Sequence, residues 1–205
     1  MAGKVDFLER IRICEGAMGT MLLREGAEVG DNSAELNVSS PSVVAAIHRQ
    51  YARAGATCLI TNTFSPKAAS SEAERKHLAE IVAAGVRIGR RANSGLILGD
   101  VGPCGLVLEP LGDTTFSEAF DIYAEHIAAL ASEGPDAILL ETFIDISDLR
   151  CAIFAARSVC DLPIIASCTF NTSRRMPLSG TTPAAAAVIL DALGVDVIGM
   201  NCGIG

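Results

Sequence analysis

The sequence predicts an α/β fold built from repeated strand and helix units. Three segments share one pattern, in which a glycine is followed seven residues later by a polar residue that ends an apolar run: Gly55 to Asn62, Gly134 to Glu141 and Gly194 to Asn201. A helical pattern precedes each segment, which is typical of a helix, a C-terminal glycine and then a buried parallel strand. In α/β sheets and barrels the binding groups lie at the carboxyl ends of such strands.

Six apolar runs rich in Ile, Leu and Val are predicted to be strands with both faces covered. They are residues 11–15, 57–63, 96–101, 137–142, 163–169 and 195–201. Repeated right-handed crossovers between parallel strands form either an open doubly wound sheet or a closed barrel, and the periodicity does not choose between them. A (β/α)₈ barrel takes about 250 residues, so six units would make roughly three quarters of one.

The segments between the predicted strands carry helix start signals. Ser, Thr or Asp at an N-cap, proline at the first helical position and a capping box are the signals that the sequence contains. They are Ser40-Pro41, the Ser71/Glu74 pair, Ser117, Asp145 and Thr182-Pro183. The helix that begins at the Ser71/Glu74 pair is predicted to end near Ala92. These five signals predict one helix between each pair of successive strands.

Length and composition predict one domain over residues 1–205, half of whose residues are hydrophobic and a fifth charged. The formal charge of −8 and the pI near 4.9 argue against nucleic acid and favour a small-molecule partner. No apolar stretch approaches the roughly 20 residues of a membrane span, and we find no signal peptide. Seven cysteines without a CxxC pair indicate a reducing compartment, so we expect a cytoplasmic protein in which Cys58, Cys151 and Cys160 are core residues.

A glycine-rich turn follows the first predicted strand, in the sequence Glu15-Gly16-Ala17-Met18-Gly19-Thr20. The backbone N–H groups of Gly19 and Thr20 could converge on a carboxylate in such a turn. A purely structural turn is the alternative. The segment is not a dinucleotide fingerprint, because GxGxxG is absent and we expect no helix directly after it.

Polar side chains end several predicted strands, and each has a functional and a structural interpretation. Glu141 ends a buried strand, so its charge should meet a ligand, a metal or an arginine in a salt bridge. Asp100 could bind a ligand or cap its own turn, and Asn62 could bind a ligand or nearby backbone groups. Cys202 offers a thiolate, but one cysteine is weak support for zinc, which needs three protein ligands. The three histidines, His48, His77 and His126, are predicted on solvated or boundary helix faces.

Five motifs, taken in order, resemble the homocysteine S-methyltransferase family over nearly the whole chain. They are Glu15-Gly16-Ala17-Met18-Gly19-Thr20, Thr61-Asn62-Thr63-Phe64, Gly99-Asp100-Val101-Gly102-Pro103, Glu141-Thr142-Phe143 and Met200-Asn201-Cys202-Gly203. The resemblance implies a (β/α)₈ barrel of the TIM-barrel type, of which this chain would form about the first six βα units, an incomplete barrel. It also implies transfer of a methyl group to the zinc-activated thiol of homocysteine, which gives methionine.

The resemblance assigns roles to residues of this chain. Cys202 matches the first of three zinc-binding cysteines and would be the catalytic metal ligand. Gly19 and Thr20 would bind the substrate carboxylate and Glu141 the substrate ammonium. Asn62, Asp100 and Glu15 would line the pocket, although the family usually has Asp where Glu15 stands.

The chain ends at Gly205, before the last two βα units and the Gly-Gly-Cys-Cys pair that the family would have. We therefore expect these residues alone to bind zinc poorly and to turn over little. Two open sheet edges favour self-association. The leading methyl donor by resemblance is methylcobalamin on folate and cobalamin domains or on a corrinoid protein, with S-methylmethionine, S-adenosylmethionine and betaine as alternatives. A non-catalytic amino-acid-binding or scaffold domain without metal is the alternative function, and the acceptor could be another thiol.

Overall fold

The computed structural model describes residues 11–27, 32–92 and 95–203. Its central feature is a parallel sheet whose five strands lie in chain order: β1 Cys58–Ile60, β2 Leu96–Val101, β3 Ala137–Phe143, β4 Ile164–Cys168 and β5 Val197–Met200. Every pair of sheet neighbours is also a pair of sequence neighbours. A doubly wound sheet reverses its strand order at a switch point, so this order is the one found in a barrel wall.

Seven α-helices lie in the described ranges: α1 Met18–Arg24, α2 Leu36–Ser39, α3 Pro41–Arg53, α4 Glu72–Ala92, α5 Phe116–Ser132, α6 Ile146–Val159 and α7 Pro183–Ala192. Helices α3 to α6 pack side by side in the order of the strands that they connect. They therefore form one layer over one face of the sheet. Of these described helices, none combines the length and the apolar character needed to cross a membrane.

The two faces of the sheet bury different clusters. The face toward the helices belongs to the main hydrophobic core, which includes Leu59, Ile97, Ile138 and Ile164 from the strands. The opposite face forms a smaller cluster, to which the strands contribute Cys58, Leu98, Ala137 and Leu139. Because side chains alternate between faces along a strand, the predicted burial of both faces is confirmed for β1 to β3.

The first predicted strand, residues 11–15, is wrong as an extended strand. Only Cys14 pairs in the sheet, through an isolated parallel bridge to Cys58 at the outer side of β1. The expectation that no helix follows the glycine turn is also wrong, because α1 begins at Met18. Its Leu22 is fully buried against α3, and this packing stabilises a helix that local sequence signals did not predict.

The predicted helix start signals are confirmed at some positions and not at others. Asp145 and Thr182 accept backbone N–H groups as N-caps, as predicted. Ser40 occupies the N-cap position, but its side chain makes no capping hydrogen bond. The helix predicted from Ser117 begins one residue earlier, since Thr115 forms a capping box with Glu118.

Candidate functional site

The carboxyl ends of β3, β4 and β5 are joined by the side chain of Asn201. Its Nδ2 donates to Glu141 Oε2 at 2.7 Å and to Thr142 Oγ1 at 2.8 Å. Its Oδ1 accepts from the Thr142 amide at 3.0 Å and from Ser167 Oγ at 2.8 Å. Asn201 therefore fixes the position of the Glu141 carboxylate relative to the end of β5.

Cys202 comes directly after this cluster and is exposed. Its Sγ lies 3.6 Å from both Thr142 Oγ1 and Asn201 Nδ2. Thr142 and Cys202 both have positive φ, 63° and 51°. Residues other than glycine rarely adopt this conformation, and those that do are frequent at functional sites. The backbone thus turns sharply at both strand ends, where a thiol and a carboxylate are presented together.

Asp100 and Glu141 form a pair of carboxyl groups at the ends of β2 and β3. Each group acts on the pKa of the other, and Asp100 Oδ1 is buried without a hydrogen-bond partner. Burial and the negative charges of Glu141 and Glu15 raise the pKa of Asp100 well above its ordinary value. Burial also raises the pKa of Glu141, against a smaller opposing effect of the neighbouring Asp100 carboxyl group.

No cation faces this carboxyl pair within the described ranges. The ion pairs found there involve neither Asp100 nor Glu141. The arginine salt bridge considered for Glu141 is therefore not present in this part of the chain. Buried carboxylates are costly without a partner, so the pair is suited to receive a cationic group from a ligand.

Asn62 makes contacts that match its structural interpretation. Its Nδ2 donates to the Ser33 carbonyl at 2.8 Å, and its Oδ1 accepts from Ser33 Oγ at 3.0 Å. Asn37 Nδ2 in turn donates to the Asn62 carbonyl at 2.7 Å. The side chain of Asn62 is thus used to hold the segment around α2 against the end of β1.

Glu15 is buried between α3 and β1. Its Oε2 lies 2.9 Å from His48 Nδ1, and its Oε1 accepts from the Ile60 amide at 2.6 Å. The placement of His48 on a solvated or boundary face is wrong, since its side chain is fully buried. The signal was available, because His48 follows Val44 by four residues on the buried stripe of α3.

Gly19 and Thr20 lie in the first turn of α1 and are both exposed. The N–H groups of a first helical turn have no intrahelical acceptor. A Cβ added at Gly19 would meet no atom within 4 Å, so open space borders this residue. The structure therefore leaves room for a ligand beside these two backbone amides.

Tyr123 is a buried polar residue that the sequence analysis did not single out. Its hydroxyl donates to Asp148 Oδ1 at 2.8 Å and accepts from the Cys104 amide at 2.9 Å. Burial raises the pKa of Asp148 to about 6, although the hydrogen bond from Tyr123 opposes the shift. Tyr123 thus fixes the loop that follows Asp100, and its place among the buried and mostly apolar residues of α5 concealed this role.

A zinc centre requires at least three protein ligands. Within residues 11–27, 32–92 and 95–203, no group of three or more His, Cys, Asp and Glu side chains is placed to hold a metal ion. Cys202 is near a hydroxyl and an amide, which are not zinc ligands. These residues by themselves do not fit a zinc site, and Cys202 as a metal ligand stays a prediction.

The family model described as homocysteine S-methyltransferase matches residues 12–204. The chain belongs to the homocysteine S-methyltransferase family. Curated relatives include the methionine synthases of Mycobacterium tuberculosis (strain ATCC 25618 / H37Rv) and Mycobacterium leprae (strain TN), each 32% identical, over 220 and 223 residues. Each alignment covers 96% of this chain but 18% of the relative, so the chain spans about a fifth of the length of these methionine synthases.

Solved structures of the homocysteine methyltransferase MmuM from Escherichia coli have the same fold. The oxidized form has a TM-score of 0.81 at 23% identity, with 94% of this chain and 73% of that chain covered. The metallated form has a TM-score of 0.80 at 22% identity, with 95% and 75% covered. The fold that this chain shares with MmuM confirms the predicted α/β class of the TIM-barrel type.

Proposed function

We propose that this chain takes part in methyl transfer to the thiol of homocysteine, with methionine as the product. The observation that supports the proposal is the carboxyl pair Asp100 and Glu141 at the strand ends, beside the exposed thiol of Cys202. An amino acid brings an ammonium group that such a pair can bind. Membership of the homocysteine S-methyltransferase family supports homocysteine as that amino acid.

The proposed substrate contacts divide between the two ends of the amino acid. The ammonium binds Glu141, and Asp100 adds a second carboxyl group within hydrogen-bonding reach of the first. The carboxylate binds the free N–H groups of Gly19 and Thr20. Asn62 and Glu15 shape the pocket walls, since their side chains already have protein partners.

The electrostatics of the carboxyl pair favour this arrangement. Without a ligand, we expect Asp100 and Glu141 to hold one proton between them, because two buried carboxylates cannot both ionise at low cost. An ammonium ion in that position supplies the missing positive charge. Charge-assisted hydrogen bonds are roughly twice as strong as neutral ones, so binding would favour ionisation of both groups.

The thiol of homocysteine needs activation, because a free thiol with pKa near 8.5 is mostly protonated at neutral pH. Zinc would supply that activation by binding the thiolate, and we propose Cys202 as one of its ligands. The remaining ligands do not occur as a cluster in the described ranges. We therefore expect these 205 residues alone to hold zinc weakly and to turn over little.

Methylcobalamin carried by another domain or by a corrinoid protein is the proposed methyl donor. The methionine synthase relatives are several times longer than the region that this chain matches, which leaves room in those proteins for further domains. Docking of such a donor on the strand ends would bring its methyl group toward the homocysteine sulfur bound beside Cys202. Homocysteine and the donor module are then the two partners of the site.

Isothermal titration of homocysteine into the 205-residue chain under reducing conditions tests the proposal. We expect Glu141→Gln to weaken binding about 10- to 100-fold, because a hydrogen bond to a charged group contributes roughly 1.5–3 kcal/mol. The matched control, Asp161→Asn at an exposed acid, should leave binding unchanged. Binding of 4-mercaptobutyrate, which lacks the ammonium, with the affinity of homocysteine would contradict the proposal.

The same titration separates the catalytic function from a non-catalytic scaffold. In a longer chain that also carries the remaining zinc ligands, a homocysteine-activating site should prefer homocysteine over methionine once zinc is added, since the thioether cannot form a thiolate. Equal affinity for the two amino acids, with and without zinc, would favour the amino-acid-binding alternative. The zinc content of the purified chain, measured by atomic spectroscopy, completes the comparison.

A further inference from the structure

Cys14 and Cys58 are direct partners across the first bridge of the sheet. Two backbone hydrogen bonds frame the pair, from the Glu15 amide to the Cys58 carbonyl at 3.0 Å and from the Cys58 amide to the Ile13 carbonyl at 3.1 Å. Paired residues on neighbouring strands lie about 4.8 Å apart and share one face. That separation falls within the roughly 4.4–6.8 Å between Cα atoms that a disulfide spans.

The two thiols are close enough to shift each other's pKa, and both cysteines are free. Their accessibility differs sharply. Cys14 is exposed, whereas Cys58 is 1% exposed. An attacking molecule from solvent therefore meets the sulfur of Cys14, with the sulfur of Cys58 directly behind it.

The surroundings promote ionisation of one thiol of the pair. The contact with Cys14 lowers the pKa of Cys58, whereas burial of Cys58 raises it; a hydrogen bond with Thr57 and the charge of Arg12 lower it further, and the charge of Asp136 opposes them. The pKa of Cys14 is raised by its contact with Cys58, by partial burial of its sulfur and by the charges of Cys58, Glu15 and Glu141. One proton is thus shared between two sulfurs, and a thiolate is the reactive form in disulfide exchange.

We propose that Cys14 and Cys58 form a redox-active dithiol that closes to a disulfide by exchange with a low-molecular-weight disulfide such as glutathione disulfide. As Cys14 Sγ attacks one glutathione sulfur, its proton passes to the Cys58 thiolate, the glutathione S–S bond breaks and one glutathione thiolate leaves. Cys58 gives up its proton and attacks Cys14 Sγ, which releases the second glutathione thiolate. Two protein thiols are oxidised and one glutathione disulfide is reduced to two glutathione molecules.

The bridge would tie the segment before α1 covalently to β1. Glu15 follows Cys14 directly, and the Ile60 amide that binds Glu15 lies two residues after Cys58. The prediction that Cys58 is buried is confirmed, but its sulfur faces a second sulfur and not only core carbon atoms. Neither residue belongs to the proposed homocysteine contacts, so the dithiol is tested independently of them.

Peptide mapping tests the proposal on the full chain. The protein is equilibrated with glutathione buffers of increasing disulfide content, quenched with acid, alkylated and digested with trypsin. The two cysteines fall on separate tryptic peptides, residues 13–24 and 54–67, each with no other cysteine. We expect these two peptides to become linked to each other, with the loss of two of the seven thiols. The Cys58→Ser variant should instead retain glutathione on Cys14.

A matched variant and a denatured sample complete the design. Cys160→Ser removes a half-buried cysteine elsewhere and should leave the linkage unchanged. The same reaction in guanidinium should give mixed pairings, which shows that the fold selects the pair. Should both peptides stay fully alkylated, or should the linkage join other cysteines in the folded protein, the proposal is overturned. Because the peptide linkage is measured on the wild-type chain, it tests the proposal even if a variant fails to fold.

Discussion

Asn201 Nδ2 donates to Glu141 Oε2 over 2.7 Å, and this hydrogen bond connects β5 to β3 across the intervening strand β4. One amide therefore sets the position of a carboxylate that lies 60 residues earlier in the chain. The proposed ammonium contact depends on this position. The end of β5 thus supports the site as well as supplying Cys202.

Replacing this amide should destabilise the strand ends. We expect Asn201→Ala to lower the free energy of unfolding by about 2–3 kcal/mol, because Glu141, Thr142 and Ser167 all lose a hydrogen-bond partner. Urea unfolding followed by circular dichroism measures the change. Asn171→Ala, at an exposed residue that bonds only within its own turn, is the control and should cost less than about 1 kcal/mol.

The buried carboxyl of Asp100 should make stability depend on pH. Its pKa is raised in the folded protein, so the folded state holds a proton that the unfolded chain releases above about pH 4. Stability from this group is present at low pH and declines as the pH rises toward the folded pKa. Asp100→Asn should therefore raise the urea midpoint more at pH 8 than at pH 5. For the exposed control Asp161→Asn, the difference in urea midpoint from the wild type should not change with pH. The same constant difference for Asp100→Asn would contradict this prediction.

The contact between Glu15 and His48 offers a comparison with an exposed pair. Both side chains are fully buried, so His48→Ala would leave a buried acid without its partner. We expect a loss of about 3–5 kcal/mol in the free energy of unfolding. His77→Ala removes the exposed contact to Glu35 and should cost at most about 1 kcal/mol. Similar losses of unfolding free energy in the two variants would show that burial does not determine how much the contact between His48 and Glu15 contributes to stability.

Tyr123→Phe should loosen the loop that follows β2. Removal of the hydroxyl leaves the Cys104 amide and Asp148 Oδ1 without their partner, at a cost of about 1–3 kcal/mol. It should also raise the pKa of Asp148 above about 6, because the hydrogen bond from Tyr123 opposes the effect of burial. Carboxyl titration by NMR measures this shift. Tyr51→Phe, whose hydroxyl bonds only the exposed Ala17 carbonyl, should leave Asp148 unchanged.

Apolar residues beside β5 should promote self-association. Ile198 and Met200 on this strand are 42% and 72% exposed, and Val188 on α7 is 71% exposed. We expect the chain to sediment as dimers or larger species, and Met200→Lys to shift it toward monomer. Leu111→Lys replaces an equally apolar residue far along the chain, 64% exposed, and should not change the distribution. A wild-type chain that sediments as a monomer at all concentrations would falsify the prediction.

Repetition made β1, β3 and β5 predictable, because each glycine and apolar run repeats a pattern that only a buried parallel strand explains well. The segment around Cys14 has the same apolar character, yet it makes a single bridge. Strand length there depends on neighbours in space, which local pattern does not encode. Helix α1 was missed for the related reason that its stability comes from Leu22 packing against α3.

Residue types at strand ends predicted which side chains would lie at the carboxyl edge of the sheet, but not what each would bind. Glu141 was expected to meet a ligand, a metal or an arginine, whereas in the structure it accepts a hydrogen bond from Asn201. The contact between Glu15 and His48 joins a turn to a helix 33 residues later, and periodicity carries no information about such pairs. The neighbouring thiols of Cys14 and Cys58 were hidden for the same reason, since their pairing depends on sheet register.

The consecutive order of the strands bears on how the molecule is made. Each strand pairs with the one synthesised just before it, so a chain emerging from the ribosome can add every new unit to a surface that already exists. Pairing of this kind spans short stretches of sequence, and such topologies fold quickly. Growth from the amino terminus would leave the carboxylate of Glu141 without its hydrogen bond from Asn201 until β5 has been synthesised.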